Sequence, residues 1–132
     1  MKPTTTKEGD VILVIDDEEV VTGLLRALLT NEGYVVHTAG GGREAVDLAL
    51  KVKPKLIIMD ILMPDLDGYQ ATELIKQNPT LKEIPVIFLT GRSPEEDAGR
   101  AYATGATTFL RKPFSDEQIK NLVALALQSV RA

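Results

Sequence analysis

Leu56-Ile-Ile-Met-Asp60 decides the fold. Four consecutive apolar residues leave neither face of a strand for water, so both faces must be covered. The run then ends in a carboxylate. Val11–Ile15 has the same character and runs into Asp16, Asp17 and Glu18; Val86–Leu89 runs into Thr90 and Gly91. Tyr34–Thr38 and Thr107–Leu110 are two further short strands. Between the strands the apolar residues switch to helical spacing. Val20, Val21, Leu24, Leu25, Leu28 and Leu29 predict one face of a helix that starts at Glu19 and is stopped by Gly33. Ala45, Leu48, Ala49 and Val52 predict a second, closed by Pro54. A third comes after Gly68, with Ala71, Leu74 and Ile75 facing inward. Glu95 to Thr104 predicts a weaker, Ala-rich helix ended by Gly105. Ser115 and Gln118 have the capping-box form at the head of a last helix, which buries Ile119, Leu122, Val123, Ala126 and Val130. Apolar strands alternating with helices predict an α/β domain: one doubly wound, five-stranded parallel sheet with helices on both faces.

Composition agrees and narrows the function. The 132 residues, 44% apolar and 26% charged, suit a single globular domain. Residues 1–9 read as a polar, fraying tail and 10–132 as the domain. No internal repeat is visible, and the sequence stops with its last helix, so no effector domain is expected in it. The chain has no cysteine, which excludes disulfide scaffolds, zinc fingers, iron–sulfur sites and thiol nucleophiles. A single histidine, His37, lies in the second strand and reads as structural. The net charge of −4 argues against direct nucleic-acid binding. No apolar run approaches the roughly 20 residues of a membrane span or the roughly 7–15 of a signal-peptide core. The expectation is a cytoplasmic protein with no membrane partner.

Open parallel sheets bind ligands outside the carboxyl ends of their strands. At those ends stand Asp16 and Asp17 after the first strand, Asp60 after the third, Thr90 after the fourth, and Arg111, Lys112 and Pro113 after the fifth. Clustered carboxylates repel one another unless a cation neutralises them. Oxygen ligands without histidine or thiol suit a hard ion, and Mg²⁺ fits best if a phosphate is also present. A carboxylate is also a nucleophile that can form an aspartyl-phosphate. Lys112 and Thr90 are then the donors for the phosphoryl oxygens.

Four segments in this order carry a family resemblance: Val11-Ile-Leu-Val-Ile-Asp-Asp17, Leu56-Ile-Ile-Met-Asp-Ile-Leu-Met-Pro-Asp-Leu-Asp-Gly68, Val86-Ile-Phe-Leu-Thr-Gly91 and Thr108-Phe-Leu-Arg-Lys-Pro-Phe114. Together they resemble the receiver domain of two-component response regulators, the chemotaxis-regulator fold. The resemblance runs from about Asp10 to the end of the chain. It implies a flavodoxin-like strand order 2-1-3-4-5. It implies Asp60 as phosphoacceptor, with Asp16, Asp17, Asp60 and the backbone carbonyl of Leu62 around Mg²⁺. Thr90 and Lys112 contact the phosphoryl group, and Thr90 with Phe109 forms the switch. Many members carry tyrosine at the latter position; phenylalanine keeps the packing and lacks the hydroxyl. The Lys112–Pro113 bond is expected to be cis. Leu62 and Arg92, two residues beyond Asp60 and Thr90, are expected to set the phosphoryl lifetime. The donor is expected to be a sensor histidine kinase or histidine phosphotransfer protein, and the recipient of the signal a downstream effector protein or domain. The affected surface would be the Glu95–Thr104 helix, the fifth strand and the last helix. The chain would catalyse only its own phosphorylation and dephosphorylation.

Other readings are weaker. Gly40-Gly-Gly-Arg-Glu-Ala45 matches G-x-G-x-x-A between a strand and a helix, a local dinucleotide fingerprint. It sits on the second βα unit and leaves Asp16, Asp17 and Lys112 unexplained. An aspartate-nucleophile phosphohydrolase usually has a general acid two residues after the nucleophile, and here that position is Leu62. No P-loop motif is present. Pro64-Asp-Leu-Asp-Gly68 reads as a turn without chemistry, and Glu18 as a helix cap outside the site. The main alternative is a phosphorylation-independent protein-binding module with the same fold.

Overall fold

A computed structural model describes residues 9–91 and 108–131. Within them, nine elements run in order: β1 (Val11–Ile15), α1 (Glu19–Asn31), β2 (Val35–Ala39), α2 (Gly42–Val52), β3 (Leu56–Asp60), α3 (Gly68–Lys76), β4 (Val86–Thr90), β5 (Thr108–Arg111) and α4 (Asp116–Arg131). The strands are all parallel, in the order β2-β1-β3-β4-β5. The predicted helix over Glu95–Thr104, the Val130 side chain and residues 1–8 of the predicted tail lie outside the described residues.

The apolar strand runs acquire their reason from two cores, one on each side of the sheet. Successive side chains point to opposite faces. Leu13, Ile15, Ile57, Met59, Val86 and Phe88 pack on one side with residues of α2 and α3. Ile12, Val14, Leu56, Ile58, Ile87 and Leu89 pack on the other with residues of α1 and α4. All residues of β3 and β4 are buried. Tyr69 of α3 stands edge-on to Phe88, ring centroids 4.9 Å apart at 71°, a favoured aromatic geometry.

The structure shifts several boundaries by one residue. β2 and β5 begin one residue later than expected, and Asp60 and Thr90 are the last residues of their strands rather than the first beyond them. The Ser115–Gln118 box is formed: Ser115 N–H donates to Gln118 Oε1 at 2.8 Å, and Gln118 N–H to Ser115 Oγ at 3.1 Å. Asp67 and Gln70 make a second box at the head of α3, so part of the Pro64–Gly68 turn is a helix cap.

Three apolar residues are misplaced by periodicity alone. Val20 is 83% exposed and Leu24 50%, because α1 buries only Leu25 and Leu29 fully against the sheet. The apolar arc of α1 is thus wider than the face the sheet covers. Leu74 is 43% exposed; α3 turns Tyr69, Ala71, Thr72 and Ile75 inward instead.

The strand order reverses between β1 and β3, so the chain leaves these two neighbours in opposite directions and opens a crevice above their carboxyl ends.

Candidate functional site

The crevice collects the acids. Asp16 comes directly after β1, Asp60 ends β3 beside it, and carboxylate oxygens of Asp16, Asp17 and Asp60 lie within 4.8 Å of one another. The Asp16 side chain is fully buried and Asp60 nearly so, while Asp17 faces solvent. Asp16 is locked in place by its own turn: Oδ1 accepts the Glu18 N–H at 2.9 Å. A cleft of about 420 Å³ opens beside Asp17, with Thr22, Arg26, Thr38 and Glu44 in its walls.

Lys112 reaches the acids from the far side. Hydrogen bonding of its N–H to the Thr90 carbonyl at 2.7 Å fixes its backbone to the end of β4. Its Nζ lies 2.9 Å from Asp16 Oδ2, 3.3 Å from Glu18 Oε1 and 3.5 Å from Asp60 Oδ1. Partial burial pulls the ammonium down, but the hydrogen bond to Asp16 and the charges of Asp60 and Asp16 outweigh it, and the net direction is up. Burial and the neighbouring Asp16 push Asp60 up to about 6, against the pull of Lys112. Among the described residues, the Lys112 ammonium thus faces Asp16, Glu18 and Asp60, and Asp17 adds a further carboxylate to the cluster. The surplus of negative charge, all of it on oxygen, fits a hard dication such as Mg²⁺.

The remaining expected residues fall around this centre. Thr90 is buried at the end of β4, one strand from Asp60, which pairs with Leu89. Phe109 is half-buried in β5, opposite Phe88, and packs on the α2–α3 side core. Leu62 is 60% exposed, two residues past Asp60. The Lys112–Pro113 peptide is cis. Arg92 lies outside the described residues. His37 is half-buried in β2, away from the acids.

A family model for the response regulator receiver domain matches residues 12–124. The chain belongs to the response-regulator receiver family. This receiver is 39% identical over 105 residues to the response regulator PleD of Caulobacter vibrioides, covering 80% of this chain and 23% of that one. Among solved structures it resembles the chemotaxis response regulator CheY4 of Vibrio cholerae, with 31% identity, a TM-score of 0.86, and 89% and 98% of the two chains covered. It also resembles the receiver domain of the sensor histidine kinase PA1611 of Pseudomonas aeruginosa, solved with a magnesium ion coordinated in its active-site cleft. There the identity is 29%, the TM-score 0.83, and the coverage 91% and 98%. The receiver spans about a quarter to a half of the curated relatives it matches. The family is a signalling domain of two-component systems rather than an enzyme of metabolism. No helix among the described residues is long and apolar enough to cross a membrane.

Two side chains with partners that matter to the geometry escape sequence reasoning. As a cap alone, Glu18 would have no part in the site, yet its carboxylate reaches Lys112; the signal is its place in the unbroken acidic triplet Asp16-Asp17-Glu18. As a turn former alone, Asp65 would have no distant partner, yet its carboxylate accepts the Gly42 and Arg43 N–H groups, each at 3.0 Å. Those are the donors a pyrophosphate would need at the head of α2, so the glycine run Gly40–Gly42 is no dinucleotide site.

Proposed function

We propose that the receiver is a phosphorylation-operated switch in which Asp60 takes a phosphoryl group from the phosphohistidine of a sensor histidine kinase or histidine phosphotransfer protein. The observation that carries this is Lys112 Nζ lying 2.9 Å from Asp16 and 3.5 Å from Asp60, beside the clustered carboxylates of Asp16, Asp17 and Asp60. An Asp60 carboxylate oxygen attacks phosphorus in line, the O–P bond forms as the P–N bond breaks, and the imidazole leaves with the electron pair. Asp16, Asp17, Asp60 and the Leu62 carbonyl would hold Mg²⁺. When bound, the ion neutralises the acids and the phosphoryl oxygens. Lys112 exchanges carboxylate partners for a phosphoryl oxygen, and the Thr90 hydroxyl donates to another. Phosphorylation adds about −1.5 to −2 charge at this point. The pull on Thr90 is then passed to Phe109, two residues before Arg111, the partner of Thr90 in the ladder, and from there to the β5 and α4 surface that an effector would read.

The donor has a place to dock. Val21, Leu24, Pro113 and Phe114 line a hollow of about 410 Å³ that includes Lys112, and the exposed Val20 lies on the same helix. This apolar collar is continuous with the phosphoryl site, and suits a protein carrying a phosphohistidine between apolar flanks.

Incubation with Mg²⁺ and acetyl phosphate tests the reading. Intact mass should rise by one phosphoryl group, about 80 Da, and the gain should vanish in Asp60→Asn and in chelator. No gain in the unaltered protein would favour the phosphorylation-independent binding module.

A further inference from the structure

Neither the glycine run Gly40–Gly42 nor Asp65 takes part in the chemistry above, yet the fold brings them together. Asp65 Oδ1 accepts the Gly42 N–H and Oδ2 the Arg43 N–H, so one carboxylate from another loop caps the first turn of α2. These bonds hold the Asp65 carboxyl down to about 2, the Arg43 N–H first and the Gly42 N–H next. The acceptor is therefore ionised at any physiological pH. Contact is too close for side chains. A Cβ on Gly42 would lie 2.6 Å from the Leu66 carbonyl oxygen, and one on Gly41 3.0 Å from Asp65 Oδ1.

The segment tied down is the loop from Asp60 to Gly68. Its near end is fixed to the sheet: Ile61 N–H donates to the Leu89 carbonyl at 3.1 Å, and the Ile61 carbonyl accepts Gly68 N–H at 2.8 Å. Its far end is fixed by the Asp67–Gln70 box. Between them Leu62, Pro64 and Asp65 are exposed, while Met63 and Leu66 pack into the α2–α3 side core. Packing sets how deep this stretch lies, but apolar contacts are not directional. The paired N–H···carboxylate bonds are directional, charge-assisted, and three residues from Leu62.

We propose that Asp65 is a positioning residue for the metal site: bolted to the head of α2, it fixes the orientation of the loop that presents the Leu62 carbonyl. This rests on the reading of the site given under the proposed function. Gly41 and Gly42 are small so that the bolt can close.

Mg²⁺ alone, titrated calorimetrically into the metal-free chain, separates positioning from mere stability. Asp65→Ala should weaken Mg²⁺ binding about tenfold, the low end of what supporting groups around a metal contribute. Asp65→Asn keeps one acceptor and should fall between. Gly33→Ala is the control, because Gly33 has φ +98° at the opposite end of the sheet and alanine there destabilises without touching the site. It should bind Mg²⁺ as the unaltered chain does. Mg²⁺ affinity within twofold of normal in both Asp65 variants would overturn the inference and leave the receiver reading intact. An unaltered chain that binds no Mg²⁺ would overturn both. Should Asp65→Ala fail to fold, Asp65→Asn decides.

Discussion

Asp60→Asn should make the metal-free protein more stable at neutral pH, although it removes a partner of Lys112. Asp60 sits almost buried among Asp16, Asp17 and Glu18, with one ammonium shared between Asp16, Glu18 and itself. Its carboxyl is pushed from 3.8 to about 6, burial being the largest cause and Asp16 the next. A folded-state value above the unfolded one means that the ionised form costs stability. The cost is complete above about pH 7, falls as the pH drops through 6, and is gone near the unfolded value. A rise of that size corresponds to about 3 kcal/mol, of which an amide that bonds Lys112 less well should recover about 2 kcal/mol. Lys112 keeps Asp16 and Glu18, so no ammonium is stranded. With an m-value of about 1–3 kcal/mol per M for a small domain, the urea midpoint should rise by about 1 M. The assay is urea unfolding in EDTA at pH 7.5 and again at pH 4.5, where the advantage of the variant should largely disappear. Saturating Mg²⁺ should reverse the order, since it stabilises the unaltered chain more. A variant no more stable than the unaltered protein at pH 7.5 in EDTA would refute the electrostatic argument.

Gly42→Ala should cost about 1–3 kcal/mol by forcing a methyl against the Leu66 backbone. Gly40→Ala, whose Cβ would meet only Glu44 Oε1 at 4.0 Å, should be nearly neutral; equal urea midpoints for the two would sink the close-approach reading. Leu24→Ser, at a half-exposed position, should leave stability within about 0.5 kcal/mol. It should slow transfer from a phosphohistidine protein about fivefold while phosphorylation by acetyl phosphate is unchanged; equal slowing with both donors would remove the collar from docking. Glu18→Gln frees Lys112 from an exposed partner worth about 0.2–1 kcal/mol. Phosphorylation by acetyl phosphate should quicken by no more than about fivefold, and a slower reaction would mean that Glu18 assists rather than competes.

The sheet was legible because a strand covered on both faces cannot alternate, and Leu56–Met59 does not. The order of chemistry along its rim was legible for a related reason. Parallel strands all end on one side, so Asp16, Asp60, Thr90 and Lys112 must gather there whatever the helices do. Asp65 was not legible. Its bond to Gly42 joins residues 23 apart through two different loops, and no periodicity records such a meeting. Val20 and Leu24 failed for another reason. Helical spacing reports which residues are apolar, and says nothing of how much of that arc the sheet can cover. The glycine run is locally ambiguous because the head of a helix looks the same from sequence whether a ligand or the protein's own carboxylate fills it, and its place on the second βα unit argues against a ligand.

Lys112 meets Asp16 across 96 residues of chain. Closing so long a stretch of chain carries a loop-closure cost, and the contact requires β5 to be docked beside β4. The acids of β1 and β3 can come together earlier, but until the final strand arrives they lack their cation. A chain in which β5 is not docked thus carries the Asp16, Asp17 and Asp60 carboxylates without the Lys112 ammonium. On the proposed function, readiness to take a phosphoryl group would therefore depend on the last strand being in place.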